Sequence, residues 1–158
     1  MAKRQTKAVN FARIADKIQQ IKTGRKMPRI RTNGSIATKP CVPCPDIPES
    51  EVTDLCVSWL RKHGCTVDRL NNGAGLLEGS STYRTYGIIG GGDFLGMLPD
   101  GRHLEVEFKK GKGGTLSSSQ RKRMKRVRDG NGVYEVIHGV PECEEKIMKF
   151  LVDTTPPW

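Results

Sequence analysis

At 158 residues the chain is long enough for one domain with a modest core, yet its 35% apolar content predicts that part of it stands outside that core. No apolar run of about 18 residues occurs, which excludes a transmembrane helix, and the basic start is followed by no apolar stretch, which excludes a secretory signal. Charge is uneven: residues 1–40 hold 11 of the 27 Lys and Arg but a single acid, Asp16, whereas the rest balances 16 bases against 16 acids. A basic arm on a neutral domain is attracted to polyanions, with nucleic acid first and an anionic membrane surface or acidic protein patch behind it.

In chain order, residues 1–8 are polar and predicted to be disordered. Phe11, Ile14, Ile18 and Ile21 recur at helical spacing among Arg13, Lys17 and Lys22, predicting a short helix that ends near Gly24. Residues 24–48 contain five prolines from Pro28 to Pro48, with Gly34 among them, and read as an irregular linker, carrying Arg25, Lys26, Arg29 and Arg31 as candidate DNA-backbone contacts. The arm and linker are therefore set at 1–47 and the folded domain at 48–158. From Pro48 to Lys62, Val52, Leu55, Cys56, Trp59 and Leu60 form an amphipathic stripe before Gly64.

A short strand is predicted over Cys65–Leu70, a loop over Asn71–Gly75, and another strand over Ser81–Ile89. Gly90, Gly91 and Gly92 then precede a strand at Phe94–Met97. Pro99, Asp100 and Gly101 form a turn, and Leu104–Lys110 returns as the second arm of a hairpin. Ser117 and Gln120 have capping-box spacing at the head of a helix over Ser118–Arg128. A strand at Val133–Ile137 and a helix over Pro141–Leu151 close the domain, leaving the TTPPW tail loose. The predicted order is a mixed sheet with helices against its faces.

The hairpin carries the chemistry. Strand alternation puts Glu105, Glu107 and Lys109 on one face, with Leu104, Val106 and Phe108 on the other. Pairing brings Asp93, at the start of the preceding strand, toward Glu107. Two carboxylates supply hard oxygen ligands for Mg²⁺ or Mn²⁺, and a lysine beside them can orient a water or offset charge on a phosphate under attack. Alternating acids and lysines also line ordinary solvated strands, so this spacing alone does not decide the matter.

The run GGGDFLGMLPDGRHLEVEFKKGKGGTLSSSQ resembles the virus-type replication-repair nuclease (VRR-NUC) family of bacteriophages and other genomes, within the PD-(D/E)XK nucleases. The resemblance spans about Glu49 to Ile137. It implies an α/β fold with a restriction-endonuclease-like core, and a metal-dependent DNA endonuclease acting in recombination, repair or DNA processing. It also implies Asp93 and Glu107 as metal ligands, Lys109 as the catalytic lysine and Gln120 as a residue near the metal or the DNA backbone. A glutamate on the first helix is implied too: at about 100° per residue Glu49 lies nearer the Val52 stripe than Glu51, although both also suit a helix N-terminus. Two departures stand out. Gly92 replaces the usual proline before the aspartate, and Glu105 offers a competing register; with Glu107 and Lys109 taken as the working pair, it is a rim residue or a secondary ligand.

On the last long helix but one, Arg121, Lys122, Arg123, Lys125, Arg126 and Arg128 join Lys110 and Lys112 as candidate phosphate contacts. Asn71 and Asn72 are turn residues or DNA contacts. Cys41 and Cys44 form one C-x-x-C pair without a second, so a loop pair is favoured over half a zinc site; with an odd cysteine count, a reducing cytoplasm (a phage host's) is the expected setting. A homodimer would let two sites face two strands, though no feature demands one. The competing readings are a non-catalytic nucleic-acid binder and a protein-interaction module with a basic tail; paired carboxylates argue against the former, because they repel DNA unless a cation lies between.

Overall fold

A computed structural model describes Ile14, Ile18, Ile21 and Lys22 and residues 30–76 and 83–151. The first four are helical and exposed. Arg25, Lys26 and Arg29, and the chain-terminal expectations, lie outside the described residues.

From residue 30 on, strand β1 (Ile36–Thr38) comes first, followed by helix α1 (Glu49–Lys62), β2 (Thr66–Arg69), β3 (Gly73–Leu76) and β4 (Tyr83–Tyr86). The hairpin β5 (Phe94–Met97) and β6 (His103–Phe108) comes next, then β7 (Gly114–Leu116), α2 (Ser118–Asp129), β8 (Val133–Ile137), α3 (Val140–Ile147) and a 3₁₀ turn at Met148–Phe150. The central sheet has the order β2-β5-β6-β8; its first three strands are antiparallel and β8 runs parallel to β6. Two small antiparallel ribbons, β1-β7 and β3-β4, accompany it. The protein is a mixed α/β structure. Among the described residues no helix is long and apolar enough to cross a membrane.

Each face of the central sheet has its own helical cover. Leu104, Val106 and Phe108 of β6 meet Val52, Cys56 and Leu60 of α1 and Cys143 and Ile147 of α3 in the main core. Fully burying each large aliphatic or aromatic side chain there contributes about 1.5–3 kcal/mol. On the opposite face, Tyr134 and Val136 of β8 pack with Val127 of α2 and Leu116 of β7. The strand β6 is therefore buried on both sides, whereas alternation alone predicted one core face. The α1 stripe also differs by one residue: Leu55 is exposed and Val57 is buried, because sheet and α3 together cover only the Val52, Cys56 and Leu60 side of the helix.

Two segments predicted as irregular are partly strands. Within the proline-rich stretch, Ile36 pairs with Leu116 and Thr38 with Gly114, and Ile30 bridges back to Ile36. The same stretch is fixed further along: Cys41 N–H donates to Glu142 Oε1 at 2.7 Å, and Gly111 N–H to the Ile47 carbonyl at 3.2 Å. Residues 30–47 thus pack on the body that the sequence placed after Pro48. The second correction is Gly73–Leu76, expected in a loop, which forms a ribbon with Tyr83–Tyr86. In each case short strands find partners outside their own local stretch of sequence, where local propensity carries no signal.

Candidate active site

The hairpin register sets the centre of the site. Phe94 lies across from Val106, and continuing the antiparallel pairing by one step sets Asp93 opposite Glu107. Asp93 Oδ2 accepts the Phe108 N–H at 2.7 Å, while its own carbonyl accepts the Leu70 N–H at 2.9 Å, so its backbone and side chain are both held. Lys109 forms an ion pair with Glu107 Oε1. The sequence-predicted trio is thereby brought together at one strand end.

Glu107 is only 2% exposed, and its Oε2 is buried with no hydrogen-bond partner. Burial pushes its carboxyl above the ordinary range; Lys109 and, more weakly, the Gln120 amide oppose that rise, and the negative charge of Asp93 adds to it. A carboxylate with one satisfied oxygen, one orphaned oxygen and a second acid facing it is short of positive charge.

Asp93 and Glu107 line a polar cavity of about 600 Å³ together with Gln120 from the head of α2 and Arg69, Asn72 and Tyr86 from the other side. Gln120 also completes the expected capping box: its Oε1 accepts the Ser117 N–H at 2.8 Å, and its N–H donates to Ser117 Oγ at 3.2 Å. Capping fixes which end of the amide is left for the cavity, namely the NH₂ group.

The neighbouring acid plays a different part. Glu105 is fully buried, and Arg123 Nε donates to its Oε1 at 2.9 Å and its Oε2 at 3.2 Å, with an ion pair from the other guanidinium nitrogen. His103 Nε2 lies 2.7 Å from the same Oε1, and the Gly92 N–H donates to Oε2 at 3.3 Å. Burial raises the Glu105 carboxyl, but the bonds from Arg123 and His103 outweigh it and hold the group below its ordinary range. Glu105 is a structural acid with a dedicated counterion, not a rim residue. That leaves Asp93 and Glu107 as the acids lining the cavity, with Lys109 paired to Glu107 behind them.

Gly92 owes its identity to the same contact. A proline there would have no N–H for Glu105, and any Cβ would come within 2.6 Å of the Val106 carbonyl oxygen.

Several predicted residues lie elsewhere. Glu49 and Glu51 are exposed in the first turn of α1, and Glu49 does not line the cavity; both favour the positive end of the helix. Arg123 is turned inward, so it is removed from the phosphate contacts. Arg128 donates to the Tyr134 carbonyl and to Glu135, Lys112 pairs with Asp46, and Lys125 with Asp129 across one helical turn. Lys110, Lys122 and Arg126 remain exposed, with Arg121 half-buried and Arg31 exposed at the root of the arm. Cys41 is exposed and Cys44 half-buried, and all five cysteines are free. Among the described residues no group of three or more His, Cys, Asp or Glu side chains is arranged to hold a metal ion.

Sequence reasoning missed Arg69 and Tyr86. Arg69 reaches the cavity because it pairs opposite Phe94, next to Asp93, a relation that exists only after β2 and β5 associate. The site is thus a polar cleft at a strand end of a mixed sheet, built on paired carboxylates and a lysine. The chain matches no protein-family model, no curated protein and no solved structure.

Proposed function

We propose that the protein is a metal-dependent DNA endonuclease of the VRR-NUC type with a restriction-endonuclease-like core, hydrolysing phosphodiester bonds at Asp93, Glu107 and Lys109. The observation that carries this reading is the unpartnered, buried oxygen of Glu107 facing Asp93 in a polar cavity. Two neighbouring acids that share a single lysine, with one buried oxygen unpaired, are costly unless a cation belongs between them.

The donor set fits a small hard cation: Mg²⁺ is commonly held by one or two carboxylates, with waters and phosphate oxygens completing the shell, so a third protein ligand is not required. When bound, Mg²⁺ or Mn²⁺ supplies neutralisation of phosphate charge and an acidified water. Asp93 and Glu107 would hold it. Lys109, already paired with Glu107, orients the attacking water and offsets charge on the phosphate. Gln120 presents its NH₂ to the cavity, suited to a phosphate oxygen. Arg69 contributes a positive charge on the far wall, and Lys122 and Arg126 offer exposed cations to the flanking backbone.

The test uses wild type, Asp93→Asn and Lys109→Ala on supercoiled, single-stranded and four-way-junction DNA with Mg²⁺, Mn²⁺ or EDTA. Cutting should require metal, and each substitution should reduce it at least about 100-fold while DNA binding persists. Wild-type cutting by Asp93→Asn, or equal cutting in EDTA, overturns the proposal. The alternative, a nucleic-acid binder without hydrolysis, is what binding without any cutting would leave standing.

A further inference from the structure

Beside the carboxylate cavity lies a second cleft of about 430 Å³, within the range of roughly 300–1,000 Å³ typical of small-ligand sites. The two clefts adjoin, since Asn72, Tyr86, Gly91 and Gln120 line both. Their chemistry differs. The first holds two acids and Arg69, whereas no charged side chain lines the second: its walls are Tyr86, Ile88, Ile89, the glycine turn and the hydroxyls of Ser117 and Ser119. A phosphate finds no cation there. A flat, uncharged ring with polar edges does find an aromatic face, aliphatic walls and hydroxyl partners.

Tyr86 is held for that role by the ribbon. It is the cross-strand partner of Gly73, and its ring lies so close over that residue that a Cβ on Gly73 would fall within 2.4 Å of the ring. The missing side chain lets the ring lie across the ribbon, yet the residue stays 62% exposed. The adjoining wall is fixed by Asn72 Oδ1, which accepts the Ile88 N–H at 2.6 Å, and Ile89 beside it is 82% exposed. Large apolar groups left open next to a proposed phosphodiester site are poorly placed for a protein core and well placed for stacking.

We infer that this cleft is a nucleobase subsite, in which Tyr86 stacks on one unpaired base next to the phosphate held at Asp93 and Glu107. The inference rests on the nucleic-acid reading above and narrows it: the strand being cut is single-stranded, or unpaired, at that nucleotide, because a base inside a duplex has no free face to offer. Tyr86 is a specificity-determining residue, outside the group that handles the reacting atoms.

Equilibrium binding in EDTA separates this from catalysis. A single-stranded oligonucleotide carrying one 2-aminopurine reports stacking by its fluorescence, with its fully paired duplex as the control. Tyr86→Ala should weaken single-strand binding about 5- to 100-fold and abolish the fluorescence change, with duplex affinity altered less than about twofold. Tyr86→Phe should keep both, since the ring face is what stacks. Gly73→Ala, which displaces the ring without removing it, should fall between. Equal loss on single strand and duplex, or retention of the fluorescence change by Tyr86→Ala, overturns the inference. Circular dichroism of each variant separates loss of the ribbon from loss of the ring: a Tyr86→Ala protein with wild-type spectrum and unchanged single-strand affinity also overturns it. If wild type stacks the probe but never cuts, the nuclease reading fails alone; if it cuts with metal and ignores Tyr86→Ala, the base subsite fails alone.

Discussion

At the scale of single residues, the cations of α2 divide into two kinds that composition could not separate. Arg123 neutralises the fully buried Glu105, whereas Arg126 is exposed. Arg123→Ala should cost about 3–5 kcal/mol in denaturant unfolding, because it strands a buried charge. Arg126→Ala should cost less than about 0.5 kcal/mol, and instead lower DNA affinity and the slope of its salt dependence by about one unit. Equal stability losses in the two variants would contradict this division. The pH dependence has a definite sign. Glu105 is held below its ordinary range in the folded protein, so its contribution is complete above the unfolded value of about 4.3 and is lost as pH falls through the folded value. The stability gap between wild type and Arg123→Ala should therefore narrow in acid, a trend that melting curves from pH 7 to pH 3 will follow. The sequence contained the acid and six candidate cations. Which cation turned inward depends on α2 lying over β6, a contact 18 residues apart in the chain.

At the scale of elements, the segment from Ile30 to Ile47 is a strap tied at three places: the β1-β7 ribbon, the head of α3 and the Gly111 amide. The second tie depends on Glu142, fully buried, whose Oε2 accepts the His138 N–H at 2.8 Å and lies 2.7 Å from His138 Nδ1, while Lys146 Nζ lies 2.8 Å from Oε1. Burial raises this carboxyl, yet His138, Lys146 and the Cys41 N–H together hold it well below its usual range. Glu142→Gln should destabilise the protein by about 3 kcal/mol and speed hydrogen exchange at the Cys41 amide. Unchanged melting and exchange would show that the Cys41–Glu142 tie adds nothing to the hold on the strap. The elements divide sharply in legibility. The β5-β6 hairpin was written in its alternation and its Pro-Asp-Gly turn, and the start of α2 in Ser117 and Gln120, because both signals are local. The strands IAT and GTL were not, because three-residue strands carry no period and their pairing spans nearly half the chain. Asp93 and Glu107 could be read as neighbours from that hairpin; Arg69 and Tyr86 could not, since each reaches the cavity from a different pairing.

At the scale of the whole molecule, the charge asymmetry and the strap together define where the arm can be removed. Residues 1–29 contain nine Lys and Arg against Asp16 alone, and they end before the bridge between Ile30 and Ile36. Deleting them should leave the melting temperature within about 3 °C and reduce both DNA affinity and its salt dependence, since phosphate contacts release counterions in proportion to their number. Deleting through residue 40 also removes β1 and the Thr38 hydroxyl that accepts the Gly114 N–H at 3.0 Å, so it should destabilise the fold itself. Matching melting curves for the two truncations would mean that the strap adds nothing to stability, and an unchanged salt slope that the arm does not meet phosphate.

The helix α2 reaches in three directions at once: Gln120 toward the cavity, Arg123 into the sheet, Lys122 and Arg126 toward solvent. A rod pinned at its middle behaves as a lever. On the proposed nuclease reading, a strand drawing on its outer cations would also bear on the amide at its tip, so a strand seated askew would tilt that amide away from the phosphate. Under that reading such a device would grade substrates by alignment rather than by tightness, and a poorly aligned strand could be held firmly and still be spared.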